Sequence, residues 1–389
     1  MFQKTIIPLI QHLQLSFINY LYKQEKRISM STQSIFKNLK VIDLSTVLAG
    51  PSVGSFFAEL GADVIKVENP VYPDITRSWK LPMEDQSSSV SAYFSSINYK
   101  KTYQQLNLKL EYDREKLYEL VKTADILLMN FKFGDQEKLK ITDEILREFN
   151  SQLIIGKING YGDKSDRVAY DLILQAESGI MSMNGTPESG PVKMPVAFID
   201  VLAAHHLKEG LLIELISKKN NENYKGKSVT VSLYEAAVSS LANQASNYLM
   251  NNAVPQRIGS LHPNIAPYGE LFNTSDDRTI TFAIGSNTHF SKLCDYLNLS
   301  ALAVNKRYST VQERVKNRTE LFELLKVKVV EHLADETLEY MNEHFVPCGE
   351  IKNLKAVFET DLAQDLVRSE VIDGVETKRV TGIAFRSKQ

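Results

Sequence analysis

Between residues 39 and 68 the sequence alternates strand, helix and strand, and this stretch constrains the fold more than any other. Leu39-Lys40-Val41-Ile42-Asp43-Leu44 is short and aliphatic and reads as a strand. Pro51 to Leu60 reads as a helix ended by Gly61, with Pro51 expected at its first position, and Ala62-Asp63-Val64-Ile65-Lys66-Val67-Glu68 reads as a second strand. Two strands joined through a helix in about 30 residues make a βαβ unit with parallel strands. The alternation continues with a helix over 114–123, a strand over 125–129, a helix over 143–149 and a strand over 153–157. It predicts an α/β fold: a large Rossmann-like domain with a mainly parallel sheet covered by helices, its ligands beyond the carboxyl ends of the strands.

Further along, a turn-rich stretch, Asn184 to Pro191, precedes a long helix expected from Asp200 to about Lys218. Ser228–Ser232 reads as a strand and Tyr234–Met250 as one helix. Residues 255–345 change character, with short strands at 269–272 and 279–284 and then helices, and are expected to form a smaller α+β domain. A length of 389 residues suits two domains. Residues 35–225 are assigned to the first part of the large domain and 226–254 to a linker helix.

Composition narrows the function. With 45 basic against 47 acidic residues, the chain has no global field to steer it toward nucleic acid or an anionic membrane, so neither is an expected partner. Any anion must be held by local groups. Two cysteines, Cys294 and Cys348, make no disulfide scaffold, and no Cys/His spacing suits zinc, so a reducing, cytoplasmic setting and a metal-free site are expected. Residues 1–34 form an extension of uncertain role. Ile6–Tyr22 is apolar but interrupted by Pro8, Gln11, His12, Gln14 and Asn19, and too short for a span of about 20 residues. A start of translation at Met30, just before the first strand, accounts for it most simply; a targeting peptide or an extra helix are the alternatives.

Several positions carry chemistry. The first βα turn, Ser45 to Pro51, lacks G-x-G-x-x-G, which speaks against a nicotinamide oxidoreductase. The pair Asp74 and Arg77 reads as a local ion pair. Asp200 stands where the apolar Val196-Ala197-Phe198-Ile199 enters the long helix. It reads either as an N-cap, worth about 1 kcal/mol, or as a nucleophile. Burial raises an aspartate by up to several pKa units, whereas a helix N-terminus favours the anion by only about 0.3–2 kcal/mol. Further N–H donors are therefore expected around a reactive Asp200.

Taken together, the motifs resemble the class III coenzyme A transferases of the CaiB/BaiF type. The matching pieces run in the family's order: Val41 to Leu44 with Ala49-Gly50-Pro51, Leu60 to Glu68, Asp74-Ile75-Thr76-Arg77, Leu106-Asn107-Leu108-Lys109, Ala169-Tyr170-Asp171, Gly259 with His262-Pro263, and Val346-Pro347-Cys348-Gly349. The resemblance implies an acyl-CoA:carboxylate CoA-transferase with Asp200 as catalytic nucleophile, working through a mixed anhydride and an aspartyl-CoA thioester. It implies an oxyanion-binding loop at Gly259 and Ser260. Coenzyme A enters as a thioester substrate rather than a resident cofactor, with Leu48, Ala49, Leu106, Lys109, Asn130, Phe131, Lys132, Lys138, Arg167 and Tyr170 as its expected contacts. The family further implies that residues 346–389 return to the large domain and that two ring-shaped chains intertwine as a homodimer.

Three departures stand out. Leu48 replaces a glutamine found in formyl-transferring members, so formate and oxalate are not expected substrates. Asn69 replaces an arginine that some members direct toward CoA, and the chain stops at Gln389, short of the segment by which many members close the large domain. An α-methylacyl-CoA racemase is the nearest alternative, but Tyr170 stands where racemases carry a histidine, and a phenol of ordinary pKa near 10 is a poor base. A CoA-binding subunit without turnover is a further alternative.

Overall fold

The computed structural model describes residues 35–386, so the expectations for residues 1–34 lie outside the described residues. The chain gathers into two compact units. Among the described residues, the first comprises 35–178, Met194–Ser246 and 365–386; the second comprises Gly179–Lys193 and Asn247–Gln364. The second unit therefore takes in the turn-rich stretch before the long helix, which the sequence reading assigned to the large domain.

The first unit is built on six strands: β1 (Lys40–Asp43), β2 (Asp63–Glu68), β3 (Thr102–Gln105), β4 (Ile126–Met129), β5 (Ile154–Asn159) and β6 (Ser228–Ser232). Their spatial order is β3-β2-β1-β4-β5-β6 and every pairing is parallel. The reason is visible in β4, whose four residues, Ile-Leu-Leu-Met, are all buried: a central strand covered on both faces needs an unbroken apolar run. The order reverses between β1 and β4, so the chain leaves these two neighbours in opposite directions and opens a crevice outside their carboxyl ends.

The helix after β1 starts at Ala49, not Pro51. Proline is tolerated there because the first four N–H groups of a helix have no intrahelical acceptor. Gly50 has a steric role: a Cβ at that position would collide with the Ser45 side chain, so the glycine lets the first helical turn close onto the preceding loop. The long helix runs Phe198–Asn220, packing against the Ala49–Glu59 helix and against β5 and β6. The single helix expected over 234–250 is two, Leu233–Ser239 and Ala242–Asn251. Ala242, at φ 46°, breaks the run.

A hairpin of β10 (Val367–Ile372) and β11 (Val375–Val380) returns to the first unit. Its turn, Asp373-Gly374, has positive φ at both residues, as a two-residue hairpin with right-twisted strands requires. Arg379 pairs with Glu59 at 2.8 Å and Asp373 with Arg77 at 2.9 Å, tying the hairpin to the βαβ core.

In the second unit, β7 (Tyr268–Asn273), β8 (Thr279–Ala283) and β9 (Cys348–Glu350) form an antiparallel sheet. Its core includes Phe272, Ile280, Phe282, Phe290, Leu321 and Leu325, drawn from the sheet and its helices. No helix among the described residues is long and apolar enough to cross a membrane.

Candidate active site

The turn between β1 and its helix, Ser45 to Leu48, lies at the reversal point of the sheet. It is fixed from several sides. Asn130, just beyond β4, accepts from the Thr46 N–H at 2.9 Å and donates to the Thr46 carbonyl at 2.8 Å. The Asn130 amide is thus committed to the turn. Asp74 accepts the Val47 N–H, at 3.3 Å to either oxygen. Beneath the turn, Lys66 pairs with Asp74 at 3.1 Å and Lys101 with Asp43 at 2.8 Å, all four side chains shut off from solvent. Lys66 also donates to the Ser45 carbonyl. Burial alone would push the Asp43 carboxyl up, but the Lys101 and Lys66 ammonium groups outweigh it and hold it below the usual range. The expected Asp74–Arg77 pair is not formed: Arg77 grips Glu68 at 2.7 Å instead.

Asp200 is treated differently. It is the third residue of its helix, whose N-cap is Ala197, so the N-cap reading is corrected. The capping falls to Asp171, which accepts the Ile199 N–H at 2.8 Å and the Gln175 amide at 2.5 Å. Gln175 in turn accepts the Met194 N–H at 2.8 Å, pinning the approach to the helix. The Asp200 carboxylate itself has no hydrogen bond or ion pair among the described residues, so the expected N–H donors are absent. Burial, helped by the negative charge of Asp171, pushes it up to about 7. A carboxylate near half-ionisation at neutral pH, part-buried and with no protein partner among the described residues, suits nucleophilic attack or proton transfer.

Tyr93 faces the same charges. Burial, and the negative charges of Asp200, Asp171 and Asp74, push its phenol up to about 12, and its ring meets the edge of Trp79 at 5.1 Å. The sequence reading missed it, because the serine-rich stretch around Ala92–Ile97 has no periodic signal. Its cue was Trp79, the one tryptophan of the chain, a residue type that seldom stands without a partner.

The other expected contacts are dispersed. Leu48 is partly exposed on the turn, Ala49 begins the helix, and Phe131 and Lys132 follow Asn130 at the mouth of β4. Leu106 is 2% exposed and packed with Leu117 and Val121, which corrects it to a core residue. Lys109 is exposed. Lys138 pairs with Asp135 at 3.1 Å, and Arg167 pairs with Glu177 at 2.6 Å while stacking on Tyr161, so each would exchange a carboxylate for a phosphate on binding. Tyr170 is the exposed N-cap of the Asp171–Glu177 helix.

Gly259 and Ser260 belong to the second unit. Gly259 has φ 64° and donates its N–H to the Gly185 carbonyl at 2.7 Å, and the Ser260 hydroxyl donates to the Gly269 carbonyl. Both donors are occupied, which corrects the expectation of open ones and leaves the Ser260 N–H. Arg318 donates to the His262 and Ile265 carbonyls and Arg314 to that of Ala266, fixing the rest of this loop. Burial pushes both cysteine thiols up to about 12, so neither is a ready nucleophile.

Comparison with known proteins bears on this geometry. A model of CoA-transferase family III matches residues 36–388. A succinate–glutarate CoA-transferase of Agrobacterium fabrum is 34% identical over 326 residues, 82% of this chain and 80% of its own. A human succinyl-CoA:glutarate CoA-transferase is 32% identical, across 83% of this chain and 73% of its own. The crystal structure of a CaiB/BaiF family protein from Brucella suis matches with a TM-score of 0.78 at 33% identity, covering 92% of this chain and 96% of that one. The chain belongs to CoA-transferase family III.

Proposed function

We propose that this enzyme moves coenzyme A between two carboxylic acids, with Asp200 as the covalent nucleophile. One observation carries the reading: Asp43, Glu59, Glu68 and Asp74 each meet a cation and Asp171 accepts two N–H groups, whereas the part-buried Asp200 carboxylate has no such partner among the described residues and is pushed up to about 7. Its ionised form attacks the thioester carbonyl of the donor acyl-CoA, and the C–S bond breaks to release CoA thiolate and leave an aspartyl mixed anhydride. The thiolate attacks the aspartyl carbonyl of that anhydride, expelling the first acid and forming an aspartyl-CoA thioester. The incoming carboxylate attacks this thioester to form a second anhydride and release thiolate again. Thiolate attack on the new acyl carbonyl then frees Asp200 and the product thioester.

Each addition generates an oxyanion, for which the Ser260 N–H is the proposed donor. The CoA chain is proposed to run over Leu48, Ala49 and Phe131, with Lys109, Lys132, Lys138 and Arg167 meeting its phosphates. The names of the relatives point to succinyl-CoA and glutarate as the first donor and acceptor to try. Exposed apolar side chains on the long helix, Ile213 and Ile216 at 61% each, support a homodimer, which sedimentation would test. The two unpaired cysteines support a cytoplasmic location.

The deciding experiment incubates the protein with succinyl-CoA and hydroxylamine and maps modified peptides by mass. A hydroxamate at Asp200 is expected. Turnover with no adduct there overturns the nucleophile. A protein that binds acyl-CoA without exchange or adduct is the subunit alternative, and loss of the α-proton of a 2-methylacyl-CoA to deuterated solvent without exchange is the racemase alternative.

A further inference from the structure

Val47 is the odd residue of the β1 turn. Its φ is 73°, in the left-handed region, where a β-branched side chain crowds its own backbone and glycine alone is comfortable. Such a residue persists only when its surroundings over-determine it. Here they do so from two directions. The amide of Asn130 brackets Thr46 on both its N–H and its carbonyl, and the carboxylate of Asp74 accepts the Val47 N–H.

Asp74 is itself held rigidly. It is 1% exposed, paired with Lys66, and accepts the Thr76 N–H at 3.1 Å and the Thr76 hydroxyl at 2.8 Å. Its own N–H donates to Glu68 at 3.0 Å, and Glu68 is gripped by Arg77. Nothing in the sheet requires this expense. β1 is complete at Asp43, and a relaxed turn with glycine at 47 would reach the Ala49 helix as well.

We infer that Val47 and Asp74 are positioning residues for acyl-CoA: the buried Asp74–Lys66 pair and the Asn130 amide clamp Val47 in an unfavourable backbone conformation, so that Leu48 and Ala49 are held in one shape at the sheet's reversal point. Neither side chain needs to touch the reacting atoms. The inference rests on the reading that CoA lies over this turn, and it assigns Asp74 a role in substrate recognition that its burial alone does not suggest.

Val47→Gly is the decisive variant, because strain and positioning pull it in opposite directions. Glycine removes the strain and adds freedom to the unfolded chain, and the first effect is the larger. Its melting temperature should match or exceed that of the parent. The freed turn should nevertheless bind worse: the Kd for coenzyme A, by calorimetry, should rise about tenfold, equal to about 1.4 kcal/mol, with a parallel rise in KM for succinyl-CoA. Asp74→Asn should lower the melting temperature and weaken CoA binding. In the double variant the binding losses should not add, since both act on one turn.

A Val47→Gly protein that binds CoA within twofold of the parent overturns the inference, as does a loss of binding that comes with a lower melting temperature. If the parent protein does not bind CoA, the underlying reading has failed. If it binds and Val47→Gly binds equally well, the reading stands and the positioning role falls.

Discussion

Two sets of buried charges in the first unit show opposite solutions to one problem. Beneath the β1 turn, Asp43, Lys66, Asp74 and Lys101 are removed from water together, each carboxylate meeting an ammonium. Asp200 is removed from most of its water with only another carboxylate for company. The same desolvation that pairing offsets in the first set is left standing in the second, where it appears as a carboxyl pushed up to about 7. A paired buried charge makes a rigid scaffold; an unpaired one makes a reagent.

The sharpest way to break this contrast is to remove the reagent. Asp200→Asn should lose about 10³-fold or more in CoA exchange, the scale seen when a covalent nucleophile is removed, while still folding. Its stability carries a sign that separates the two sets. The Asp200 pKa is higher folded than unfolded, so its ionisation costs stability between about pH 4 and pH 7 and the cost stays constant above that. The variant should therefore be more stable than the parent at pH 8, by at most about 4 kcal/mol, and no more stable at pH 4. Urea unfolding at both pH values checks this, and equal differences at the two would refute the assignment.

The paired set should behave in the opposite way. Lys101→Met leaves Asp43 buried without its nearest cation and should cost about 3–5 kcal/mol at neutral pH. Asp43 is held below its ordinary value in the parent, so pairing stabilises above about pH 4 and is lost as pH falls through that lower value. The deficit of the variant should shrink in acid, where its Asp43 can take up a proton. A deficit independent of pH between 4 and 8 would mean that lost packing, not lost charge, is the cause.

The smallest effect is expected at Asp171. Asp171→Asn keeps an acceptor for the Ile199 N–H but removes the negative charge that helps raise Asp200. The rising limb of kcat/KM against pH should move to lower pH by less than about one unit, because burial is the larger cause and remains. A shift to higher pH would contradict the electrostatic account.

What the sequence made legible was what local rules control. Apolar runs and a terminating glycine gave five of the six strands of the parallel sheet, and the run leading into residue 200 singled out the aspartate. Strand β3, Thr-Tyr-Gln-Gln, escaped because an edge strand needs no apolar run. The β10–β11 hairpin was missed although Asp373-Gly374 lies between two alternating segments, a readable signal. The site was harder. That Asp171 and not Asp200 caps the helix, that Asp74 pairs with Lys66 and not Arg77, and that Tyr93 faces Asp200 all depend on segments meeting across the fold. A pattern along the chain carries no trace of such partners.

The hairpin also sets a timetable. Arg77 meets Asp373 across 296 positions of sequence, and Glu59 accepts from Gly382 across 323. At roughly 5–20 residues per second, a ribosome adds the 296 residues that separate Arg77 from Asp373 in about 15–60 s. Until then Arg77 has Glu68 but not Asp373 and Glu59 lacks Arg379, while the second unit, whose last residue is Gln364, is already fully synthesised. The second unit is thus complete in sequence before the first, and a released chain truncated before residue 367 should be cleaved by protease in the first unit and spared in the second.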